Sequence, residues 1–190
     1  MSGIPDLDKM LRGLTGPGVS HESDGQGATA GNIVSVPLFD PSNPLHEFLC
    51  VEKIHAWAVI PTKGSESAAG YDLYSAGDDI EIPAWQSRVI PTGIKVHLPH
   101  GTYGHIASRS GLAKKGFTVD GGIIDPDYEG EIMVILRNST DLNTVIKKYD
   151  RIAQLILIQY KNVPIREVRD LKKLFGPTQR GIGGFGSTGR

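Results

Sequence analysis

The sequence predicts an all-β fold, a sandwich or barrel of short strands, and three observations carry that expectation. From about residue 51, apolar and β-branched runs of about 4–8 residues recur, separated by turn residues. Glycine numbers 24 and proline 12 in 190 residues, which favours many turns over long helices. No long amphipathic helical period interrupts the runs.

Residues 1–31 are rich in Gly, Ser, Asp and Thr, and GPGVSHESDGQGATAG reads as linker. Before it, Ile4, Leu7, Met10, Leu11 and Leu14 fall near helical spacing, and Asp6 after Pro5 is placed to help a helix start. Such a segment suits docking on a partner. A frayed terminus with accidental periodicity is the plainer reading, because a helix this short is marginal alone. Residues 32–50 are mixed: NIVSVPLF reads as a strand and DPSNP as a turn. Beyond them the predicted strands are IHAWAVI (54–60), DIEIP (79–83), SRVIPTGIKVHL (87–98), YGHIAS (103–108), EIMVILRN (131–138), TVIKKYD (144–150) and RIAQLILIQY (151–160). TKGSES, LPHG, PDYEG and NSTDL break them, and RDLKKLF is the one helical-looking stretch of this half. There is no internal repeat.

Composition bounds the function. Apolar residues make up 39%, enough for a core, and the formal net charge of −1 argues against direct nucleic-acid binding while leaving room for a nucleotide at a local cationic site. Cys50 is the single cysteine, so there is neither an internal disulfide nor a CxxC zinc pair, and a reducing compartment is expected. No apolar run approaches the roughly 20 residues of a membrane span, and the first residues lack the apolar region of a signal peptide. The expectation is a soluble intracellular protein, in cytoplasm or nucleus, with no membrane partner.

Three stretches offer chemistry. GGIIDPDYEGEI (121–132) reads as a hairpin whose turn is PDYEG, with Asp125 closing an apolar run and Asp127, Glu129 and Glu131 forming an acidic edge. An aspartate at the rim of an apolar patch makes a better base than a solvated one, because desolvation raises its pKa. In SRSGLAKKG (108–116), Arg109, Ser110 and Gly111 offer a guanidinium, a hydroxyl and a permissive backbone to an anion; a turn with basic residues facing water is the plain alternative. In AGYDLYSA (69–76), Asp72 sits within an apolar alternation, at a strand edge or near a cation that it holds through water. His97, His100 and His105 alternate awkwardly for one metal, and no nucleophile elbow or Ser–His–Asp set is present.

The tail RGIGGFGSTGR (180–190) is neither a Walker A loop nor a dinucleotide fingerprint, since no lysine precedes Ser187-Thr188 and no helix follows. It suits a flap over a phosphorylated ligand: glycines approach phosphate closely, Ser187 and Thr188 donate, Arg180 carries charge, and Phe185 stacks on a base. A disordered Gly/Ser tail is the other reading.

Five ordered stretches, AGYDLYSA (69–76), SRSGLA (108–113), GGIIDPDYEGEI (121–132), DRIAQLIL (150–157) and RGIGGFGSTG (180–189), resemble the five motifs of the homotrimeric dUTPase family. The likeness spans roughly residues 54–190. It implies a small distorted jelly-roll β-barrel, assembled as a homotrimer with active sites between subunits. The chain then divides into an N-terminal extension (1–50), a barrel domain (51–176) and a flexible lid (177–190). It implies Mg²⁺-assisted hydrolysis of dUTP to dUMP and pyrophosphate, with Asp125 activating the water. Tyr128 would pack on deoxyribose, the backbone around Gly122 and Met133 would pair with uracil, and Arg109, Ser110, Gly111 and Gln154 would hold phosphates. Asp72 would hold Mg²⁺ through water, and Arg180, Phe185, Gly186, Ser187 and Thr188 would form the lid. Tyr149, where the family usually has glycine, and Ser108, where proline is common, depart from the pattern. A dCTP deaminase of the same superfamily, which relies on a glutamate, and a catalytically silent binding module are the competing readings. Residues 1–50 are expected to be dispensable for catalysis and available to a protein partner.

Overall fold

The computed structural model describes residues 43–179, 181 and 182. The helix-like spacing of residues 4–14, the NIVSVPLF stretch, and Arg180, Phe185, Gly186, Ser187 and Thr188 of the lid lie outside these residues. The described chain is β-rich. A 3-10 turn (Pro44–Glu47) leads into β1 (Cys50–Lys53), β2 (Thr62–Lys63), β3 (Gly70–Tyr74), β4 (Ile80–Ile82), β5 (Ser87–Pro91), β6 (Ile94–His97) and β7 (Thr102–Ala107). After a one-turn helix α1 (Ser110–Ala113) come β8 (Phe117–Asp120), β9 (Ile123–Ile124), β10 (Met133–Asn138), β11 (Thr144–Ile146), β12 (Arg151–Gln159) and α2 (Leu171–Phe175). Among the described residues, no helix is long and apolar enough to cross a membrane.

The strands form four sheets, β1-β6, β5-β10-β8, β11-β4 and β2-β3-β12-β7-β9, and every described pairing is antiparallel. β10 shows why the pattern holds. Val134, Leu136 and Asn138 face inward and Met133, Ile135 and Arg137 outward, the two-residue period of a strand covered on one face. Val134 and Leu136 join Leu73, Ile82, Ile90, Ile106, Ile152 and Leu155 in one buried cluster. Removing one such large side chain costs about 2–5 kcal/mol. The buried amide of Asn138 donates to Leu142 O (2.7 Å) and Ile82 O (3.1 Å) and accepts from Thr140 N (3.0 Å), so its burial is compensated and the turn after β10 is ordered.

Two sequence expectations change. The stretch 54–60 is not a strand; the strand precedes it, at β1. Ala58 N closes a turn on His55 O (3.0 Å), and the His55 and Trp57 rings stack at 4.8 Å, an aromatic contact that alternation does not encode. Nor is 121–132 a hairpin: β9 pairs with β7, whereas β10 pairs with β5 and β8, so the chain changes sheet across the turn. RDLKKLF does contain a helix, α2, capped by Asp170, whose carboxylate accepts from Lys173 N at 3.0 Å.

Candidate active site

The five-stranded sheet carries the first group of expected site residues and, except for Met133 on β10, borders the second. In its middle, Asp72 on β3 lies opposite Gln154 on β12, and Gln154 lies opposite Ala107 at the end of β7, just before Arg109. Arg109 leads into α1. Its Nε donates to Asp72 Oδ1 (2.8 Å) and its Nη1 to Arg151 O (3.0 Å). Arg151 Nη1 donates to Asp72 Oδ2 (3.1 Å), so one carboxylate holds two guanidinium groups. The Asp72 side chain is 13% exposed, which strengthens the pairing relative to a surface ion pair. Three charges leave one net positive charge for an anion.

Gln154 Nε2 donates to Ser108 O (3.0 Å), and Gly70 leaves the room: a Cβ there would lie 2.5 Å from Gln154 Oε1. Ser108 Oγ accepts from Val119 N at 2.8 Å, tying β8 to this corner with an oxygen that proline lacks. Ser110 and Gly111 are exposed in the first turn of α1, where leading amides have no intrahelical carbonyl.

The second group lies at the sheet edge. Gly122 adopts φ 101°, and Ile106 N donates to its carbonyl at 2.7 Å. A Cβ at Gly122 would lie 2.5 Å from Ile106 O, so only glycine permits this approach. Asp125 follows β9 and opens a turn with Pro126, closed by Tyr128 N donating to Asp125 O (3.1 Å). The Tyr128 ring folds over Gly130, where a Cβ would collide with its hydroxyl, and that hydroxyl donates to Glu131 O (3.0 Å). Met133 is on the outward face of β10. Among the described residues, no side-chain hydrogen bond or ion pair joins this group to the Asp72–Arg109–Gln154 group.

Two expectations need correction. Asp125 is exposed rather than desolvated in the single chain, in the turn that follows the edge strand β9. Glu131 is not part of a solvated acidic edge, since its Oε1 accepts from Gly93 N at 2.7 Å. Sequence reasoning gave Arg151 and Glu131 no role, because their partners lie 79 and 38 residues away. At Tyr149 the backbone stays left-handed, at φ 70°, as a glycine turn would require, and Tyr149 N donates to Ser75 O (2.8 Å).

Metal fit follows from the donors. Among the described residues, no three His, Cys, Asp or Glu side chains are grouped to hold an ion, so these residues build no protein cage. Both oxygens of Asp72 are engaged by arginine, but each carboxylate oxygen keeps a second lone pair that can accept from a metal-bound water. That fits a hydrated Mg²⁺ arriving with phosphates, which typically needs only one or two carboxylates. Burial pushes the Cys50 thiol up, away from the thiolate form that a nucleophile needs.

The dUTPase family model matches residues 56–189. The chain is 49% identical over 142 residues to the deoxyuridine 5′-triphosphate nucleotidohydrolase of Paramecium bursaria Chlorella virus 1, covering 74% of this chain and 97% of that relative. It is 51% identical over 132 residues to the Candida albicans protein of the same name, covering 69% and 81%. A Staphylococcus bacteriophage 80alpha dUTPase solved with dUPNHPP matches with a TM-score of 0.69 and 26% identity, over 75% of this chain and 99% of that one. These matches show that the chain, all-β in its described fold, belongs to the dUTPase family.

Proposed function

We propose that this chain is a dUTP diphosphatase, which hydrolyses dUTP to dUMP and pyrophosphate. The observation that carries the reading is the pairing, on one sheet, of an accessible carboxylate in a glycine-gated turn with a net-cationic corner. Asp125 accepts a hydrogen bond from a water, orients it for attack at the α-phosphorus and takes its proton; as the water oxygen bonds to phosphorus, the bond to the bridging oxygen breaks and pyrophosphate leaves. Holding water and phosphorus in line accounts for much of the acceleration in such reactions. Arg109, Ser110, Gly111 and Gln154 position the phosphate chain, and Asp72 keeps Arg109 aimed and would hold Mg²⁺ through water. When bound, Mg²⁺ gathers the phosphate oxygens and neutralises developing charge.

Tyr128 packs on deoxyribose, and the backbone around Gly122 and Met133 reads uracil. Cytosine would leave a donor–acceptor mismatch costing about 1–3 kcal/mol. Arg180, Phe185, Gly186, Ser187 and Thr188 close over the nucleotide as a lid within 177–190. Residues 51–176 form a jelly-roll barrel, and residues 1–50 are an extension dispensable for turnover. The chain assembles as a homotrimer with its sites between subunits, a reading supported by the lack, among the described residues, of any side-chain hydrogen bond or ion pair joining the two groups. The reaction lowers the dUTP available to polymerases and supplies dUMP for thymidylate synthesis.

The test is pyrophosphate release in Mg²⁺ from dUTP, dCTP, dTTP and UTP. Turnover of dUTP alone is expected; deamination of dCTP, or a folded protein that spares every nucleotide, contradicts the proposal.

A further inference from the structure

Residues 131 and 132 are fastened to the turn between β5 and β6 at three points. Gly93 N donates to Glu131 Oε1 (2.7 Å), Thr92 Oγ1 donates to Ile132 O (2.5 Å), and Ile132 N donates to Ile94 O (2.9 Å). The turn that receives them is rigid. Thr92 is 1% exposed, and Gly93 sits at φ 67° with its missing Cβ 2.8 Å from Ala58 Cβ and 3.0 Å from Ala76 Cβ. Of the three contacts, only the Glu131 carboxylate bond is charge-assisted, and so the strongest type.

On its other side, Glu131 offers its carbonyl to the Tyr128 hydroxyl (3.0 Å), and Tyr128 N closes the turn on Asp125 O (3.1 Å). One residue thus ties a rigid inner turn to the exposed turn that carries Asp125 and Tyr128. We infer that Glu131 is a positioning residue for sugar discrimination: its carboxylate latches the Asp125–Gly130 turn to Gly93 and sets the Tyr128 ring where it excludes a ribose 2′-hydroxyl. The inference rests on the proposed dUTP reaction. Freed of the latch, the turn keeps its local hydrogen bonds and the Ile132 bonds to Thr92 and Ile94 but loses its charge-assisted tie at Glu131, so the ring yields to the extra hydroxyl.

The test compares kcat/KM for dUTP and UTP in the full chain and its variants, with exchange of the Gly93 amide followed by NMR. Glu131→Ala is expected to lower the dUTP:UTP ratio about tenfold or more, since discrimination depends on contacts held in place. Glu131→Gln, which retains an acceptor, should keep the ratio within about threefold of wild type. Glu131→Asp, one methylene too short to reach Gly93, should behave like Glu131→Ala and serves if the alanine variant does not fold. Gly93 exchange should accelerate at least about tenfold in the alanine and aspartate variants. An unchanged ratio in a folded alanine or aspartate variant, or a glutamine variant as indiscriminate as alanine, overturns the sugar-discrimination role. Unchanged Gly93 exchange overturns the latch whether or not dUTP is consumed, whereas a wild-type chain that spares dUTP overturns only the functional reading.

Discussion

Gly122 shows how closely the site is built against the sheet. Its φ of 101°, and the mere 2.5 Å that would separate a Cβ at this position from Ile106 O, exclude any side chain without moving β9 from β7. Gly122→Ala is expected to cost about 1–3 kcal/mol from backbone strain alone, read as a lowered midpoint in thermal unfolding, and to reduce dUTP turnover by shifting Asp125. Asp125, Tyr128 and Gln154 could be singled out from sequence because they sit in short ordered motifs. What surrounds them could not. The two arginines on Asp72 and the Gly93 amide on Glu131 are long-range contacts, and an isolated Glu in an acidic run gives no sign of a backbone partner.

The elements followed the sequence wherever one driving force dominated. β10 and β12 are long runs with a buried face, and both lie within a residue or two of their expected bounds. The 54–60 turn was missed because its aromatics stack on each other and on a lysine instead of alternating into a core. The supposed 121–132 hairpin fails because the partner of each arm is chosen by tertiary pairing, with β7 on one side and β5 and β8 on the other. The turn after β11 carries its own signature. Tyr149 holds φ 70°, and the Lys148 ammonium lies 4.9 Å from the Trp57 ring and 5.5 Å from the Tyr149 ring. Cation–π contact, worth about 0.5–1 kcal/mol at exposed sites, partly offsets the left-handed backbone. Of two variants that both lack the ring, Tyr149→Gly should be more stable than Tyr149→Ala by about 1 kcal/mol in denaturant unfolding, because only alanine retains the left-handed strain.

At the scale of the molecule, the all-β class was legible from run length and turn chemistry, while jelly-roll closure and trimer assembly came from family resemblance alone. The single chain nevertheless carries a physical reason to associate. On the outward face of the β5-β10-β8 sheet, Ile135 lies opposite Val89 and Met133 opposite Pro91, with Val89 54%, Ile135 38% and Met133 37% exposed. An antiparallel sheet that faces water normally shows polar residues there. Ile135→Lys should convert the proposed trimer into a folded monomer, seen by light scattering with an unchanged far-UV spectrum, and should abolish turnover. A trimer that survives the change would exclude this face as the contact.

The most direct test of the account is the turnover of dUTP by Asp125→Asn. The amide keeps the shape of the turn and one carbonyl acceptor but removes the charged carboxylate that takes the water's proton. The account predicts a fall in kcat of about 10²–10⁴-fold with nucleotide binding and thermal stability retained, the usual range for losing a general base. Turnover within about threefold of wild type would show that another group activates the water.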